Sequence, residues 1–271
     1  MYEKINIVYK KRGQTPLDCI NEVKKSNPEL LHLPLTYAGR LDPLAEGVLL
    51  ILIGDECYKK DEYLALPKEY EVTVLFGFAT DTYDLMGLIT NNVASSSCQF
   101  LDPRMREDEE PDHKNWHDDF DLNIKKLLPK FTGRIIQKYP PYSSRTVNGK
   151  PLFKWAREGK IGEIIIPSHD VYVESIEIIK ESFISGENLI NKIKQDISLV
   201  SGDFRQEEIT NLWIDVLNDK KEEQYKTITL KISCGSGVYV RGIAHELGIV
   251  LGVPALALDI VRTKIGEYVN N

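Results

Sequence analysis

The stretch Ala38-Gly39-Arg40-Leu41-Asp42-Pro43-Leu44-Ala45-Glu46-Gly47 sets one carboxylate between a glycine turn and a proline, and an apolar run over residues 48–53 follows at once. Glycine reaches backbone angles closed to other residues, while Pro43 fixes its own φ and pushes Asp42 out of the helical region. The pattern predicts a rigid corner that holds Asp42 against a hydrophobic wall. Low solvation and a fixed aim suit a carboxylate used as a nucleophile. The same residues also describe a polar turn entering a buried strand or helix. The remainder of the chain has to decide between these readings.

The chain has 271 residues, of which 42% are apolar, enough for one large core or two modest ones. The run over 48–53 is far too short to cross a bilayer, and residues 1–11 contain no apolar signal core. A soluble, cytoplasmic protein is expected, with no membrane partner. Cys19, Cys57, Cys98 and Cys234 are scattered without a C-x-x-C pair, so neither a disulfide framework nor a zinc site is indicated. The net charge of −7 argues against a uniformly basic RNA-binding surface. Residues 106–121, however, hold eight acids against only Arg106 and Lys114. One segment therefore carries most of the imbalance, and local basic patches remain open elsewhere.

Residues 6–9 read as a strand, and Thr15-Pro16 opens a helix to about Lys25 with proline at its first position. From Lys68 to Phe78 the chain alternates, with Tyr70, Val72, Val74, Phe76 and Phe78 on one face of a strand. Ile89 begins a return strand. Residues 91–121 lack periodicity and read as an acidic, mobile insertion. Further on, the pattern predicts helices near 122–128, 152–158, 189–194 and 239–251. It predicts strands over 133–139, 171–182, 227–234 and 255–263, and a polar excursion over 202–224. Strands and helices in this irregular order imply an α+β fold on a mixed, mostly antiparallel sheet flanked by helices.

Gly39, Leu41, Asp42, Pro43, Ala45, Gly47 and Leu49 match every fixed position of G-x-L-D-P-x-A-x-G-x-L. That motif resembles the catalytic segment of the TruB family of tRNA pseudouridine synthases. Lys68-Glu69-Tyr70 resembles the family's K-x-Y. Gly237, Tyr239, Arg241, Ile243, Leu247 and Gly248 resemble G-x-Y-x-R-x-I-x-x-D-L-G, with Glu246 where aspartate is usual. Lys10-Lys11-Arg12-Gly13-Gln14-Thr15 resembles K-P-x-G-x-T, with Lys11 in place of proline. Thr80-Asp81-Thr82-Tyr83-Asp84 with Gly87, the block from Pro141 to Arg157, and Ile260-Val261-Arg262-Thr263 with Gly266 and Tyr268 extend the similarity along nearly the whole chain.

The resemblance implies a single pseudouridine synthase-like domain over residues 1–271 with a central active-site cleft. It implies Asp42 as nucleophile, Arg241 as its ion-pair partner, and Tyr70 as a wall that stacks on the target base and takes part in proton transfer. It implies no cofactor and no metal, with uridine 55 in the T-arm loop of tRNA as the target. Tyr37, Gly39, Arg40, Lys10, Lys11, Arg12, Asp84, Arg145, Lys150, Tyr239, Ile260 and Arg262 are the residues it assigns to substrate or RNA. A monomer is expected. The sequence stops soon after the last strand, so the small C-terminal RNA-binding domain common in the family (PUA-type) is expected to be absent.

Some positions depart from the pattern. Tyr37 stands where a histidine that helps place the flipped base is usual, and Thr146 replaces a lysine. Arg40-Leu41-Asp42 also resembles the R-L-D of ribosomal-RNA pseudouridine synthases, but those continue T-S-G rather than Pro43-x-Ala45-x-Gly47. His113-x-x-x-His117 has metal-ligand spacing but lies in the charged insertion, where a solvated loop is expected. Gly235-Ser236-Gly237 is a weak phosphate-cradle signal. Two other functions compete: an RNA-binding or tRNA-folding module with lost chemistry, and a metal hydrolase built on the two histidines. Asp42, Tyr70 and Arg241 together argue against the first, because a module freed from catalysis has no need of an ion pair removed from water. The second lacks a matching cluster.

Overall fold

The computed structural model describes residues 3–92 and 116–269. Its strands are β1 (Ile5–Lys10), β2 (Leu35–Ala38), β3 (Glu46–Ile53), β4 (Lys68–Phe76), β5 (Phe78–Thr80), β6 (Ile89–Asn92), β7 (Gly133–Lys138), β8 (Thr146–Val147), β9 (Lys150–Pro151), β10 (Ser168–Ser185), β11 (Gln224–Cys234), β12 (Ala255–Ile265) and β13 (Tyr268–Val269). The helices are α1 (Pro16–Ser26), α2 (Lys60–Ala65), α3 (Trp116–Leu127), α4 (Leu152–Arg157), α5 (Gly186–Ser198), α6 (Gln206–Leu217) and α7 (Val240–Leu251). A nine-stranded sheet runs in the order β1-β3-β12-β4-β11-β10-β7, with β2 added to β3 and β13 to β12. Its strand pairs are antiparallel except β3 with β12. This is the mixed, mostly antiparallel α+β sheet that the pattern predicts.

Local chemistry sets the element ends. The Thr15 hydroxyl accepts from the Asp18 N–H, and Asp18 returns a bond to the Thr15 N–H, closing a capping box ahead of Pro16. At the other end of the chain, Gly252 stops α7 in the left-handed conformation (φ 71°).

The unbroken apolar run of β3 has a structural cause, since both of its faces are covered. Leu49, Ile51 and Ile53 pack with Cys19, Ile20 and Val23 of α1, while Val48, Leu50 and Leu52 pack with Ile265. The central strands divide in the same way. Val72, Val74 and Phe76 join Ile124 of α3 and Ile243, Ala244 and Leu247 of α7. On the other face, Leu75, Leu256 and Leu258 join Leu189 and Ile193 of α5 and Ile209, Trp213 and Leu217 of α6.

Three expectations change. Phe78 does not continue the face of Val74 and Phe76. Gly77 at φ 109° breaks the strand, and Phe78 packs in the opposite layer, 4.9 Å from the Trp213 ring and 4.8 Å from the Tyr225 ring. The polar excursion over 202–224 contains α6, whose Ile209, Trp213 and Leu217 are fully buried. Their i, i+4, i+8 spacing is a helical signal, reinforced by Leu212, Ile214 and Val216 and masked only by the largely polar residues on either side. The reading of 91–121 as an insertion falls mostly outside the described residues, as does His113. Within the described part of it, β6 pairs with β5 and α3 begins at Trp116.

Gly47 joins the motif to β3 at φ 115°, where an added Cβ would lie 2.2 Å from the Arg262 carbonyl oxygen. Gly47→Ala is expected to destabilise the protein by roughly 2 kcal/mol or more, since strained backbone and a backbone clash act together. Urea unfolding of the purified variant measures it, and a midpoint equal to that of the wild type would contradict this packing.

Candidate active site

Asp42 sits on the connection between β2 and β3, which pair antiparallel from Leu35↔Ile53 to Ala38↔Leu50. Several carbonyls of this connection are held from below. Lys10 is fully buried, and its Nζ donates to the carbonyls of Asp42 (3.1 Å), Pro43 (3.1 Å) and Ala45 (2.6 Å). The Gly13 N–H adds a bond to the Pro43 carbonyl at 2.9 Å. Arg262, 1% exposed, donates from Nε to the Val48 carbonyl (2.8 Å) and from Nη2 to the Gly39 carbonyl (3.1 Å). With its main chain held on both sides, the corner fixes where the Asp42 side chain starts.

That side chain meets Arg241, in the first turn of α7. Arg241 Nε lies 2.9 Å from Asp42 Oδ2, and the two side chains differ sharply in exposure, 4% against 37%. The other guanidinium donors are also engaged: Nη1 donates to the Thr82 carbonyl, and Nη2 donates to the Tyr142 carbonyl at 2.9 Å. Burial alone would lower the Arg241 pKa, but the charges of Asp42 and Asp84 outweigh it and the net shift is upward. The guanidinium is therefore a fixed cation. The expectation that Asp42 is itself withdrawn from water is corrected. The arginine is the desolvated partner, and the carboxylate stays open on one side.

Asp84 lies deeper. Its Oδ1 accepts from the Thr82 hydroxyl (2.6 Å) and the Met86 N–H (2.9 Å), and its Oδ2 stands 4.0 Å from Arg241 Nε. Burial raises its pKa from 3.8 to about 6, with Asp42 adding to the rise and Arg241 opposing it. Two carboxylates thus share one buried guanidinium, and the better-aligned bond goes to Asp42.

Tyr70 is half-buried against the core cluster that contains Leu41, Val240 and Ile260, with Val238 also packed on it. Burial raises its phenol pKa, and the charge of Arg262 opposes the rise. Lys68, before it, is buried with Nζ 2.6 Å from the Leu66 carbonyl. Tyr239 caps α7 and is clamped by Gln137, which receives the Tyr239 N–H (2.8 Å) and donates to the Tyr239 carbonyl (2.9 Å). Gln137, fully buried, has no counterpart among the sequence-predicted residues. Tyr139 stacks on His169 with ring centroids 4.0 Å apart and meets Tyr239 edge-on at 5.8 Å, while the Arg145 guanidinium lies 5.3 Å from the Tyr139 centroid.

Several predicted RNA contacts have other partners. Lys10 and Arg262 are buried under the Asp42 corner, as described. Arg12 pairs with Asp259 (2.6 Å), Asp196 (2.7 Å) and Glu46 (3.1 Å). Lys150 pairs with Glu158 (2.6 Å) and covers the Trp155 ring. Tyr37 packs on the α1 layer and accepts from Arg40 Nη2 at 3.2 Å. Lys11, Arg40 and Arg145 are exposed. Gly39, at φ 84°, sits 3.3 Å (as a Cβ) from Arg262 Nη1, so it serves the corner's packing. Among the described residues, no group of three or more potential metal ligands converges, and no helix is long and apolar enough to cross a membrane.

The site thus joins a corner-mounted carboxylate to a buried arginine, with a half-buried tyrosine on the core cluster that carries Leu41 and Val240. The comparisons give the chain its family. The family described as "TruB family pseudouridylate synthase (N terminal domain)" matches residues 34–183. The chain belongs to the TruB family. It is 30% identical over 261 residues to the tRNA pseudouridine synthase B of Ligilactobacillus salivarius, covering 96% of this chain and 67% of that one. It is 28% identical over 272 residues to the enzyme of the same name from Bifidobacterium longum subsp. infantis, covering 97% of this chain and 62% of that one. The chain thus spans about two thirds or less of these relatives' length. The fold resembles that in the crystal structure of a Cbf5–Nop10–Gar1 complex, with a TM-score of 0.53 at 16% identity over 98% of this chain and 50% of that one.

The Asp84 shift has a direct consequence for stability. Because its folded-state pKa is raised, its contribution is complete below about 4 and is lost as pH rises through about 6. Asp84→Asn should therefore gain on the wild type in unfolding free energy as pH increases from 4 to 7. Urea titrations at each pH test this, and a difference constant over the range would contradict a raised pKa.

Proposed function

We propose that this protein isomerises a uridine of tRNA, position 55 in the T-arm loop, to pseudouridine, with Asp42 as nucleophile. The observation that carries the reading is the 2.9 Å pair between the half-open Asp42 carboxylate and the buried Arg241, on a main chain locked by Lys10 and Arg262. The reaction breaks the N1–C1′ bond, turns the base and joins C5 to C1′. The C5 proton leaves and N1 gains one, so mass is unchanged and no redox cofactor is required. Arg241 keeps Asp42 aimed and cannot itself release a proton under physiological conditions. Tyr70 offers a flat wall to the displaced uracil, and its phenol is the group we assign to proton transfer. Base flipping costs a few kcal/mol, which stacking in the pocket offsets.

The RNA is read by shape and backbone in this proposal, through Lys11, Arg40 and Arg145 and the Tyr139–His169–Tyr239 platform, since splayed loop bases stack on aromatic faces. The relatives' shared name supports tRNA as the substrate. A module that binds RNA without chemistry has less support, because it gives no use for a carboxylate and an arginine held in this register.

Asp42→Asn preserves shape and removes the charge, so pseudouridine formation on a T-arm hairpin should fall below detection while hairpin binding stays within about threefold of the wild type. Conversion by the variant at a rate near wild type would defeat the assignment. Tyr70→Phe retains stacking, so its affinity should persist, and a rate loss of about tenfold or more isolates the hydroxyl. An unchanged rate would remove the phenol from proton transfer.

A further inference from the structure

The hairpin of α5 and α6 begins after residue 183, where the family match ends. Its connecting loop nevertheless reaches the candidate active site. Arg205, the residue before α6, holds φ 62°, a left-handed state that residues with a Cβ rarely adopt. Its guanidinium grips Asp81 with both ends, Nη1 to Oδ2 at 2.8 Å and Nη2 to Oδ1 at 3.2 Å. The same guanidinium lies 4.7 Å from the centroid of the Tyr142 ring. These two contacts are on the two segments whose carbonyls receive Arg241: Thr82, directly after Asp81, and Tyr142 itself.

The loop is anchored in turn. Arg157 Nη2 donates to the Asp203 carbonyl at 2.6 Å, and its guanidinium lies 5.6 Å from the Phe204 centroid. The end of α5 also supports the other half of the pair. Leu199 packs so closely on Gly13 that a Cβ there would lie 2.5 Å from the Leu199 carbonyl oxygen, and Gly13 N–H holds the Pro43 carbonyl. A hairpin already held by its own buried face has no need of a strained arginine with a bidentate bond into a neighbouring loop, unless the position of that loop matters.

We propose that Arg205 is a positioning residue for the Asp42–Arg241 pair, acting through Asp81 and Tyr142 to fix the two carbonyls that orient the Arg241 guanidinium. The inference rests on the catalytic role assigned to that pair above. The Arg205 guanidinium is engaged by Asp81 and the Tyr142 ring, one step removed from Asp42. Its removal frees the Asp81–Thr82 and Tyr142 segments to shift, and Arg241 then aims less sharply at Asp42.

Arg205→Gly tests this cleanly, because glycine accepts the positive φ and is tolerated before a helix. On a T-arm hairpin with enzyme in excess, the single-turnover rate should fall about tenfold to a hundredfold while hairpin affinity stays within about twofold, as expected for misaligned groups. Arg205→Lys, which keeps the charge without the planar fork, should fall between. Asp81→Asn should lose as much as Arg205→Gly, and the double variant should lose no more than either alone. A readout without substrate is the Arg241 Nε–H resonance, assigned by its absence in Arg241→Lys. Its hydrogen exchange should quicken about tenfold in Arg205→Gly. Wild-type exchange and rate in Arg205→Gly, losses that add in the double variant, or a rate loss that only tracks a lowered melting temperature would each overturn the proposal. A wild-type protein that makes no pseudouridine would instead overturn the proposed function, and the exchange measurement would still decide the role of Arg205.

Discussion

A short connection between two strands cannot hold a reactive side chain still unless its own backbone is fully bonded. Here the bonding comes from two buried cations. Lys10 takes three consecutive-region carbonyls, those of Asp42, Pro43 and Ala45, and Arg262 takes those of Gly39 and Val48. Burying a cation without a carboxylate is costly, and burial lowers the Lys10 pKa to about 8. The arrangement persists because the carbonyl oxygens replace the water those cations have lost. Leaving either cation out would strand several buried acceptors at once, each costing about 1–3 kcal/mol. The corner and its two cations are therefore one unit.

The ion pair above that unit is unequal by design of the surroundings. Arg241 is buried and carries bonds to Asp42, Thr82 and Tyr142, so its direction is over-determined. Asp42 has a fixed main chain and an exposed carboxylate edge, so it can meet a substrate without the guanidinium moving. Asp84 is the deeper competitor for the same cation, and its own burial, more than the nearby Asp42 charge, raises its pKa. In this geometry the positions of Thr82 and Tyr142 matter as much as the charges, which is why a contact from a distant hairpin bears on the pair.

Much of the architecture was legible from local patterns. The helix opened by Thr15-Pro16, the helix near 239–251 and the period-two alternation of residues 70–76 depend only on neighbours in the chain, and each appears where the sequence put it. Even the unbroken apolar run of β3 was legible as a buried element, although its state as a strand covered on both faces needed the partners. Phe78 was misread because one glycine inverts the register after Phe76. Helix α6 was passed over because its largely polar flanks, residues 202–208 and 218–224, hide the apolar stretch between Ile209 and Leu217.

The sequence by itself determined which residue types stand at the corner, and its motifs resemble the TruB family closely enough to imply that Asp42 and Arg241 belong together. The motifs are local and readable; the pairing was an implication of the resemblance. Only the tertiary structure decided the fate of the basic residues. Lys10, Arg12 and Arg262 look like Lys11, Arg40 and Arg145 in a sequence, yet the first three are consumed by carbonyls and carboxylates from distant elements while the others face solvent. The physical reason is that charge is a property of the residue, whereas burial and partners are properties of the contacts, and here they join positions as far apart as Asp42 and Arg241 or Asp81 and Arg205.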